Sequence, residues 1–344
     1  MLALAACGGG GTANGDGNGG GDDDSFGGGD GGQHDAMTDA APLVCGDGMR
    51  VAGEECDDHN GSNGDGCDST CRVEPYAGAP QAAIDALHAM NLARAAADVP
   101  GAKLDSHAVL SSQNHATYYA TNAAAYTGGL SPHNEDTNFP TGFTGVQFST
   151  RMSFASFTGS PYFETMAFSA NASSAVSQWL NTVFHRIPIL HPNMTVFGYA
   201  NSTANGRNND VADYGNGTAE SMAKVILWPP PGATGVARQF NRTQEGPTPP
   251  TPPGGGNITG PIVSVLFANG SNGTITSHSI KDSTGTTLPD TMISKSDATF
   301  GPFMSGSYAF YADGPAPAGA TFTVSVAGMV NGQPYSRTWT FTTQ

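Results

Sequence analysis

The hydrophobic pattern in the middle of the chain is helical. Apolar residues recur at three- and four-residue steps over residues 80–97, 106–122 and 172–183, and this spacing predicts three amphipathic helices. Asp105 stands before the second of these segments and is its predicted N-cap. A fourth, short helix is predicted over residues 151–157. The centre of the chain is therefore expected to be built mainly on helices.

Short extended segments follow the helices. Residues 195–200 and 210–214 have the composition of strands. Helices that enclose a few strands predict an α+β domain, an α-β-α sandwich, over residues 78–225. Within it we expect Asn91 and Arg94 to be buried hydrogen-bonding groups rather than catalysts.

The last part of the chain changes to a two-residue period. Apolar and polar side chains alternate over residues 321–326 and 335–342, and Asn331-Gly332 between them predicts a hairpin turn. Shorter strands are predicted at residues 262–267, 274–280 and 307–311. Short strands separated by turn residues predict an all-β sandwich over residues 257–344, which is similar to bacterial Ig-like domains.

Two segments have compositions that oppose independent folding. Residues 1–44 are rich in glycine and aspartate and almost free of apolar residues, which is typical of a flexible tether. Residues 226–256 combine prolines with glycines and are expected to be a linker.

Leu4-Ala5-Ala6-Cys7 is similar to a bacterial lipobox, so Cys7 is the expected lipidation site, although no charged and apolar leader precedes it. The alternative is an N-terminal cysteine without a role.

Four cysteines lie close together in residues 45–75 and predict two disulfides. They are Cys45, Cys56, Cys67 and Cys71, and three pairings are open. Because this module has too few apolar residues to form a core, it must be held together by cross-links. Disulfides persist in an oxidising compartment, so we expect the module to lie in one. The pattern CGDG…GEECDDHN…GDGC…C is similar to the short cysteine-rich repeat of myxobacterial surface proteins.

The same module contains hard oxygen ligands. The candidates are Asp57, Asp58, Asn60 and Asp65, whose side chains suit Ca²⁺. The alternative, which we favour, is that these residues form tight turns between the disulfides.

The charge distribution excludes two classes of partner. The net charge is −16, from 13 basic and 29 acidic residues, and most of the excess lies before the central domain. Nucleic-acid binding and electrostatic attachment to anionic lipid both need a clustered basic surface, which this chain lacks. Since no run of about 18 apolar residues occurs, membrane contact is expected only through the lipid anchor.

Five motifs in residues 78–225 resemble those of the CAP superfamily in its bacterial form, which comprises cysteine-rich secretory, antigen 5 and pathogenesis-related proteins. In chain order they are Asn91-Leu92-Ala93-Arg94; Lys103-Leu104-Asp105 with Gln113-Asn114-His115-Ala116; His133-Asn134-Glu135-Asp136 with Gly142-Phe143-Thr144-Gly145; Phe163-Glu164-Thr165-Met166-Ala167; and Trp179-Leu180-Asn181 with His185-Arg186-Ile187-Pro188-Ile189-Leu190. Each motif is weak alone, but their order is specific.

The resemblance implies a cleft lined by His133, Glu164 and His185, with Glu135 in second rank. Two neutral imidazoles and a carboxylate would suit a divalent metal, Zn²⁺ or Ca²⁺, or an acid–base pair. This chain departs from the family pattern at Asn181, where many members carry a second glutamate. No serine or cysteine nucleophile is evident, because nothing marks Ser131 as activated.

Three functions remain open at this point. The first is a surface-tethered bacterial lipoprotein, outside the cell and anchored to the outer membrane, whose cleft binds an extracellular ligand or a divalent metal. The second is a metal-assisted or acid–base hydrolase that uses the same cleft. The third is an adhesin or structural surface protein without chemistry.

Overall fold

Helices and strands begin close to where the hydrophobic pattern predicts them. The computed structural model describes residues 43–204, 207–217 and 224–344, which belong to the unit Leu43–Gln344. Residues 1–42, with the predicted tether and the candidate lipidation site Cys7, lie outside the described residues. The helices are α1 (Gln81–Ala96), α2 (Ser106–Thr121), α3 (Ala123–Thr127), α4 (Phe148–Phe154), α5 (Ala172–Leu180) and α6 (Arg186–Leu190).

The strands fall into three sheets. They are β1 (Lys103–Leu104), β2 (Ser160–Ala167), β3 (Met194–Ala204), β4 (Arg207–Asn216), β5 (Val225–Trp228), β6 (Phe240–Asn241), β7 (Ile258–Phe267), β8 (Gly273–Lys281), β9 (Asp290–Ser294), β10 (Tyr308–Asp313), β11 (Thr321–Val330) and β12 (Gln333–Thr342). The central sheet has the order β1-β3-β4-β2. In it β1 is parallel to β3, and the other pairs are antiparallel.

The ends of the central helices follow capping chemistry. The Asp105 side chain accepts hydrogen bonds from the backbone N–H groups of His107 and Ala108, at 2.9 and 3.0 Å, which confirms the predicted cap of α2. Helix α4 begins at Phe148, three residues before its predicted start, because Thr150 accepts a hydrogen bond from the Gln147 N–H and closes the first turn.

Helices cover both faces of the central sheet. Phe197 and Tyr199 of β3 pack into the core that α1 and α5 share, whereas Gly198 between them lies against the backbone of α2. This arrangement agrees with the predicted α-β-α order. Buried Arg94 joins the layers by donating to the carbonyl oxygens of Pro100, Ile189 and Met194 at 2.6–2.8 Å, which confirms its predicted role.

Strand β2 was not predicted from the sequence. It pairs along β4, and Glu164 stands directly opposite Asp213. Two acidic residues on neighbouring strands are not a pattern that propensity favours, so this pairing arises from the tertiary fold.

The C-terminal strands form two sheets over a shared apolar core. Their orders are β5-β7-β10-β9, with β6 also paired to β7, and β12-β11-β8. The predicted hairpin is confirmed, because Asn331 and Gly332 join β11 to β12 with φ values of 52° and 79°. The Ig-like assignment stays a prediction.

The segment expected to be a linker, residues 226–256, is part of the folded structure. Most of β5 and all of β6 lie in it, and both strands pair with β7. Buried Arg242 donates to Pro249 O and to Asn257 Oδ1. Proline prevented neither strand, because the prolines lie outside the paired positions. The segment packs against the folded parts of the chain instead of separating them.

The cysteine module contains one disulfide, Cys56–Cys67. Cys45 and Cys71, which were each expected to lie in a disulfide, carry free thiols here. Burial, together with neighbouring Cys45 and Glu54, raises the pKa of the Cys71 thiol. The Asp57 carboxylate accepts from three backbone N–H groups, those of Gly46, Gly48 and His59. These contacts are those of a tight turn, and the calcium alternative stays untested.

Gly198 offers a test of the packing between α2 and β3. A Cβ atom there would lie 2.0 Å from Ala108 C and 2.1 Å from Val109 N, and backbone atoms cannot move aside. We expect Gly198→Ala to lower the free energy of unfolding by about 3 kcal/mol in urea denaturation. Gly61→Ala, in open space, is the control and should change it by less than about 0.5 kcal/mol. Equal effects of the two substitutions would contradict the close approach.

Candidate functional site

The site is built around Arg151, a fully buried side chain of α4. Its Nη2 forms an ion pair with Glu164 Oε2. Its Nη1 donates to the carbonyl oxygens of His133 and Val146, at 3.1 and 3.2 Å. One guanidinium group therefore joins strand β2 to the loop of residues 130–147, which we call the site loop.

His133 projects from the site loop toward solvent. Its ring Nδ1 lies 2.8 Å from Glu164 Oε1, and 38% of its side chain is exposed. A carboxylate only accepts hydrogen bonds, so Nδ1 must carry the proton and the neutral ring presents an unprotonated Nε2. The predicted pair of His133 and Glu164 is thus brought together.

Glu135 has a different role from the one expected for a cleft residue. It is buried beneath the site loop, where it accepts from Thr144 N at 2.6 Å and Gly145 N at 3.2 Å. Its Oε1 lies 3.1 Å from Nδ1 of buried His115. These contacts hold the two ends of the loop together, because Glu135 replaces the backbone partners that a loop lacks.

Glu164 and Asp213, which face each other in the central sheet, have pKa values shifted in opposite directions. Burial by itself raises the pKa of Glu164, but Arg151, His115 and His133 outweigh burial and hold this pKa well below its usual range. Burial and the neighbouring charge of Glu164 raise the pKa of Asp213 well above its usual range. The two shifts thus favour the ionised form of Glu164 and the protonated form of Asp213.

His185 lies at the start of α6. Its Nδ1 is 3.1 Å from Oε1 of Glu245, and 12% of its side chain is exposed. Glu245 belongs to the segment that was expected to be a linker, and its carboxylate is fully buried. His185 thus resembles His133 in having a buried carboxylate beside Nδ1, but the hydrogen bond of its Nδ1 is with Thr182 Oγ1, at 3.3 Å.

Both histidines line one cavity of about 570 Å³. The other lining residues are mainly apolar and come from the site loop, β2, α5 and the C-terminal part of the chain: Ser131, Pro132, Met166, Ala167, Phe168, Gln178, Gln244, Gly246, Pro247 and Phe303. Glu164 and Glu135 are not among them, because they lie behind the loop. The cavity is an apolar chamber with two imidazoles as its titratable groups.

The predicted metal site of His133, His185 and Glu164 stays a prediction. Within residues 43–204, 207–217 and 224–344, no group of three or more His, Cys, Asp or Glu side chains is placed to hold a metal ion. The Glu164 carboxylate already contacts Arg151 and His133. The Glu245 carboxylate already contacts backbone amides and His185. Two imidazole nitrogens remain, fewer than the three protein ligands of a catalytic zinc site, and Ca²⁺ needs six or more oxygens.

A nucleophile next to an imidazole is also not evident in the described part of the chain. The Ser131 hydroxyl accepts from the backbone N–H of His133 at 3.4 Å and contacts neither ring. Thr182 Oγ1 lies 3.3 Å from His185 Nδ1, but its proton goes to Trp179 O at 2.6 Å.

Sequence reasoning missed three residues of this site. Arg151 was placed only in a helix, Asp213 only in a strand, and Glu245 only in a spacer. Arg151 carried a weak signal, since it is the one basic residue of the predicted helix 151–157, whose other residues are apolar or small. Nothing in the local sequence marks Glu245 or Asp213.

Comparisons with known proteins agree with the motifs. Residues 87–220 match the model of the cysteine-rich secretory protein family, CAP. Two solved structures are similar at 15% identity: an extracellular protein containing a SCP domain from Bacillus anthracis (TM-score 0.31, 40% of this chain and 41% of that chain) and an outer surface protein from Borrelia burgdorferi (TM-score 0.28, 39% and 91%). The match to the first thus spans less than half of that protein. A comparison with curated proteins finds no match.

The buried ion pair gives a stability prediction. Replacing Arg151 by methionine leaves the ionised Glu164 buried without its partner, so we expect a loss of about 3–5 kcal/mol in the free energy of unfolding. Urea denaturation followed by circular dichroism measures it. Arg72→Met, at an exposed position, is the matched control and should cost less than about 0.5 kcal/mol. A loss below about 1 kcal/mol for Arg151→Met would show that Glu164 does not depend on it.

Asp213 gives a prediction about pH. Because its pKa is raised in the folded state, this residue contributes stability at pH values below about 4, and that stability is lost as pH rises toward the folded pKa. Asp213→Asn removes this loss. We expect the variant to be more stable than the parent at pH 7, by about 1.4 kcal/mol per unit of raised pKa, with the difference vanishing near pH 3. Urea denaturation at both pH values tests it, and an equal difference at pH 3 and pH 7 would contradict the raised pKa of Asp213.

Proposed function

With a CAP domain at residues 87–220 as the premise, we propose that its cleft binds a small extracellular ligand through His133 and His185. One observation carries the proposal. Each imidazole has its Nδ1 held by a buried carboxylate, and both rings line the same cavity of about 570 Å³. Rings held in this way are oriented before the ligand arrives, so binding costs less conformational entropy.

The lining defines the chemistry of the ligand. Met166, Phe168 and Phe303 supply an apolar wall that suits an apolar body. The two Nε2 atoms are hydrogen-bond acceptors while the rings are neutral, so they suit a ligand with hydroxyl or N–H donors. A short apolar peptide or a long-chain alcohol combines both features.

A divalent cation is the second candidate. It is favoured by one observation, that both histidines have a carboxylate beside Nδ1, so that a neutral ring would leave Nε2 unprotonated, the form that binds zinc. With two protein ligands, such an ion would need water or the ligand itself to complete its coordination, so weak binding is expected.

We also propose a location outside the cell. The Cys56–Cys67 disulfide supports it, since such bonds persist in oxidising compartments. The glycine-rich residues 1–44 and the lipobox-like Cys7 support a tether to the outer membrane. Among the helices of the described residues, none has the length and hydrophobicity that crossing a bilayer requires.

Calorimetric titration of the full chain tests the binding function. The probes are N-acetylated hydrophobic tripeptides, 1-decanol, ZnCl₂ and CaCl₂. We expect His133→Ala and His185→Ala each to weaken the binding of a peptide or alcohol about tenfold, the effect of one lost hydrogen bond of about 1.4 kcal/mol. His278→Ala, outside the cleft, should leave it unchanged.

Other outcomes would favour the remaining hypotheses. If a double variant at His133 and His185 binds as tightly as the parent, the cleft function is wrong. Peptide or ester hydrolysis that both substitutions abolish would identify a hydrolase. If no probe binds the parent, a structural or adhesive role is favoured over a binding cleft.

A further inference from the structure

The cleft contains a segment that lies beyond the CAP match. Residues 239–247, which we call the strap, follow the central domain in the chain and return to it. Gln244, Gly246 and Pro247 of the strap line the cavity beside His185. Glu245, between them, points away from the cavity and is buried in the protein.

Glu245 binds the start of α6 through several donors. Its Oε2 accepts from Val183 N at 2.8 Å, and its Oε1 accepts from Phe184 N at 2.6 Å and His185 N at 3.1 Å. The same Oε1 lies 3.1 Å from His185 Nδ1. Three backbone amides and an imidazole thus converge on a single carboxylate, which compensates for its removal from water.

These contacts determine the tautomer of His185. Its Nδ1 faces Glu245 and the oxygen of Thr182, and the hydroxyl proton of Thr182 is used by Trp179 O. Both neighbours of Nδ1 are therefore acceptors, so Nδ1 must carry the proton. The lone pair of the neutral ring is then on Nε2, the nitrogen away from Glu245.

The strap is itself held in place. Asn181 Nδ2 donates to Gln239 O at 3.2 Å, and β6 pairs with β7. Arg242 donates to Asn257 Oδ1 at 2.9 Å. Next to His185, Arg186 donates to Ile262 O at 2.8 Å. The central domain and the C-terminal sheet thus meet at this point.

We propose that Glu245 is a positioning residue that orients His185 and sets its tautomer, so that the site is complete only with the strap. The two imidazoles then form matched pairs, His133 with Glu164 from β2 and His185 with Glu245 from the strap. The tautomer does not depend on any ligand. Only the effect of Glu245 on binding rests on the proposed function.

Nitrogen NMR of the uniformly ¹⁵N-labelled full chain at pH 8 tests the proposal directly. Long-range ¹H–¹⁵N spectra distinguish a ring protonated at Nδ1 from one protonated at Nε2. We expect the His185 ring of the parent to be protonated at Nδ1. An Nε2-protonated ring in the parent would overturn the proposal, and this measurement needs no variant to fold.

The variant Glu245→Leu extends the test. It removes the carboxylate beside Nδ1 and supplies no other acceptor, so the ring should shift toward the Nε2-protonated form, and the probe bound by the parent should bind at least fivefold more weakly. Asp290→Leu is the matched control, because Asp290 binds His278 Nε2 at 2.8 Å away from the cleft and should change His278 alone. An unchanged His185 tautomer in a folded Glu245→Leu protein would overturn the proposal.

The readouts separate the two proposals. If the His185 tautomer shifts but no probe binds the parent, Glu245 positions the ring and the binding function fails. If probes bind equally to the parent and to Glu245→Leu, with the tautomer unchanged, the binding function stands and the positioning role is wrong.

Discussion

The buried ion pair of Arg151 and Glu164 is the interaction on which the site depends. Two charges removed from water are stable only if other groups satisfy their remaining donors and acceptors. Arg151 donates through Nη1 to carbonyl oxygens of the site loop, its Nε lies 3.9 Å from Glu135 Oε1 without a hydrogen bond, and Glu164 accepts from His133. The same contacts that make the pair tolerable therefore also set the path of the loop and the direction of its histidine.

The pair also controls the charge of the surrounding sheet. Asp213 stands opposite Glu164 in a region without solvent, where two adjacent negative charges would repel each other strongly. Arg151 and the nearby histidines favour the ionised state of Glu164, whereas burial and the charge of Glu164 raise the pKa of Asp213. One carboxyl thus stays available as an acceptor for His133.

The cleft is assembled from parts that are far apart in the chain. His133 is oriented from within the central domain, whereas His185 is oriented by the strap. The strap lies between the region that matches the CAP family and the C-terminal strands, and it pairs with β7. A change in the packing of the C-terminal sheet would therefore alter the surroundings of His185, because β6 of the strap pairs with β7 and Arg242 donates to Asn257.

The sequence by itself determined the elements that local chemistry specifies. Helical spacing and an acidic cap predicted α1 and α2, turn residues predicted the β11–β12 hairpin, and ordered motifs pointed to His133, Glu164 and His185. Only the tertiary structure decided the rest: the pairing of β2, the role of Arg151, and the contact of His185 with Glu245, 60 residues away. The reason is physical. Caps and turns depend on residues a few positions apart in the chain. The partners of a buried charge are side chains and backbone groups from distant parts of the chain, and only the tertiary fold places them next to it.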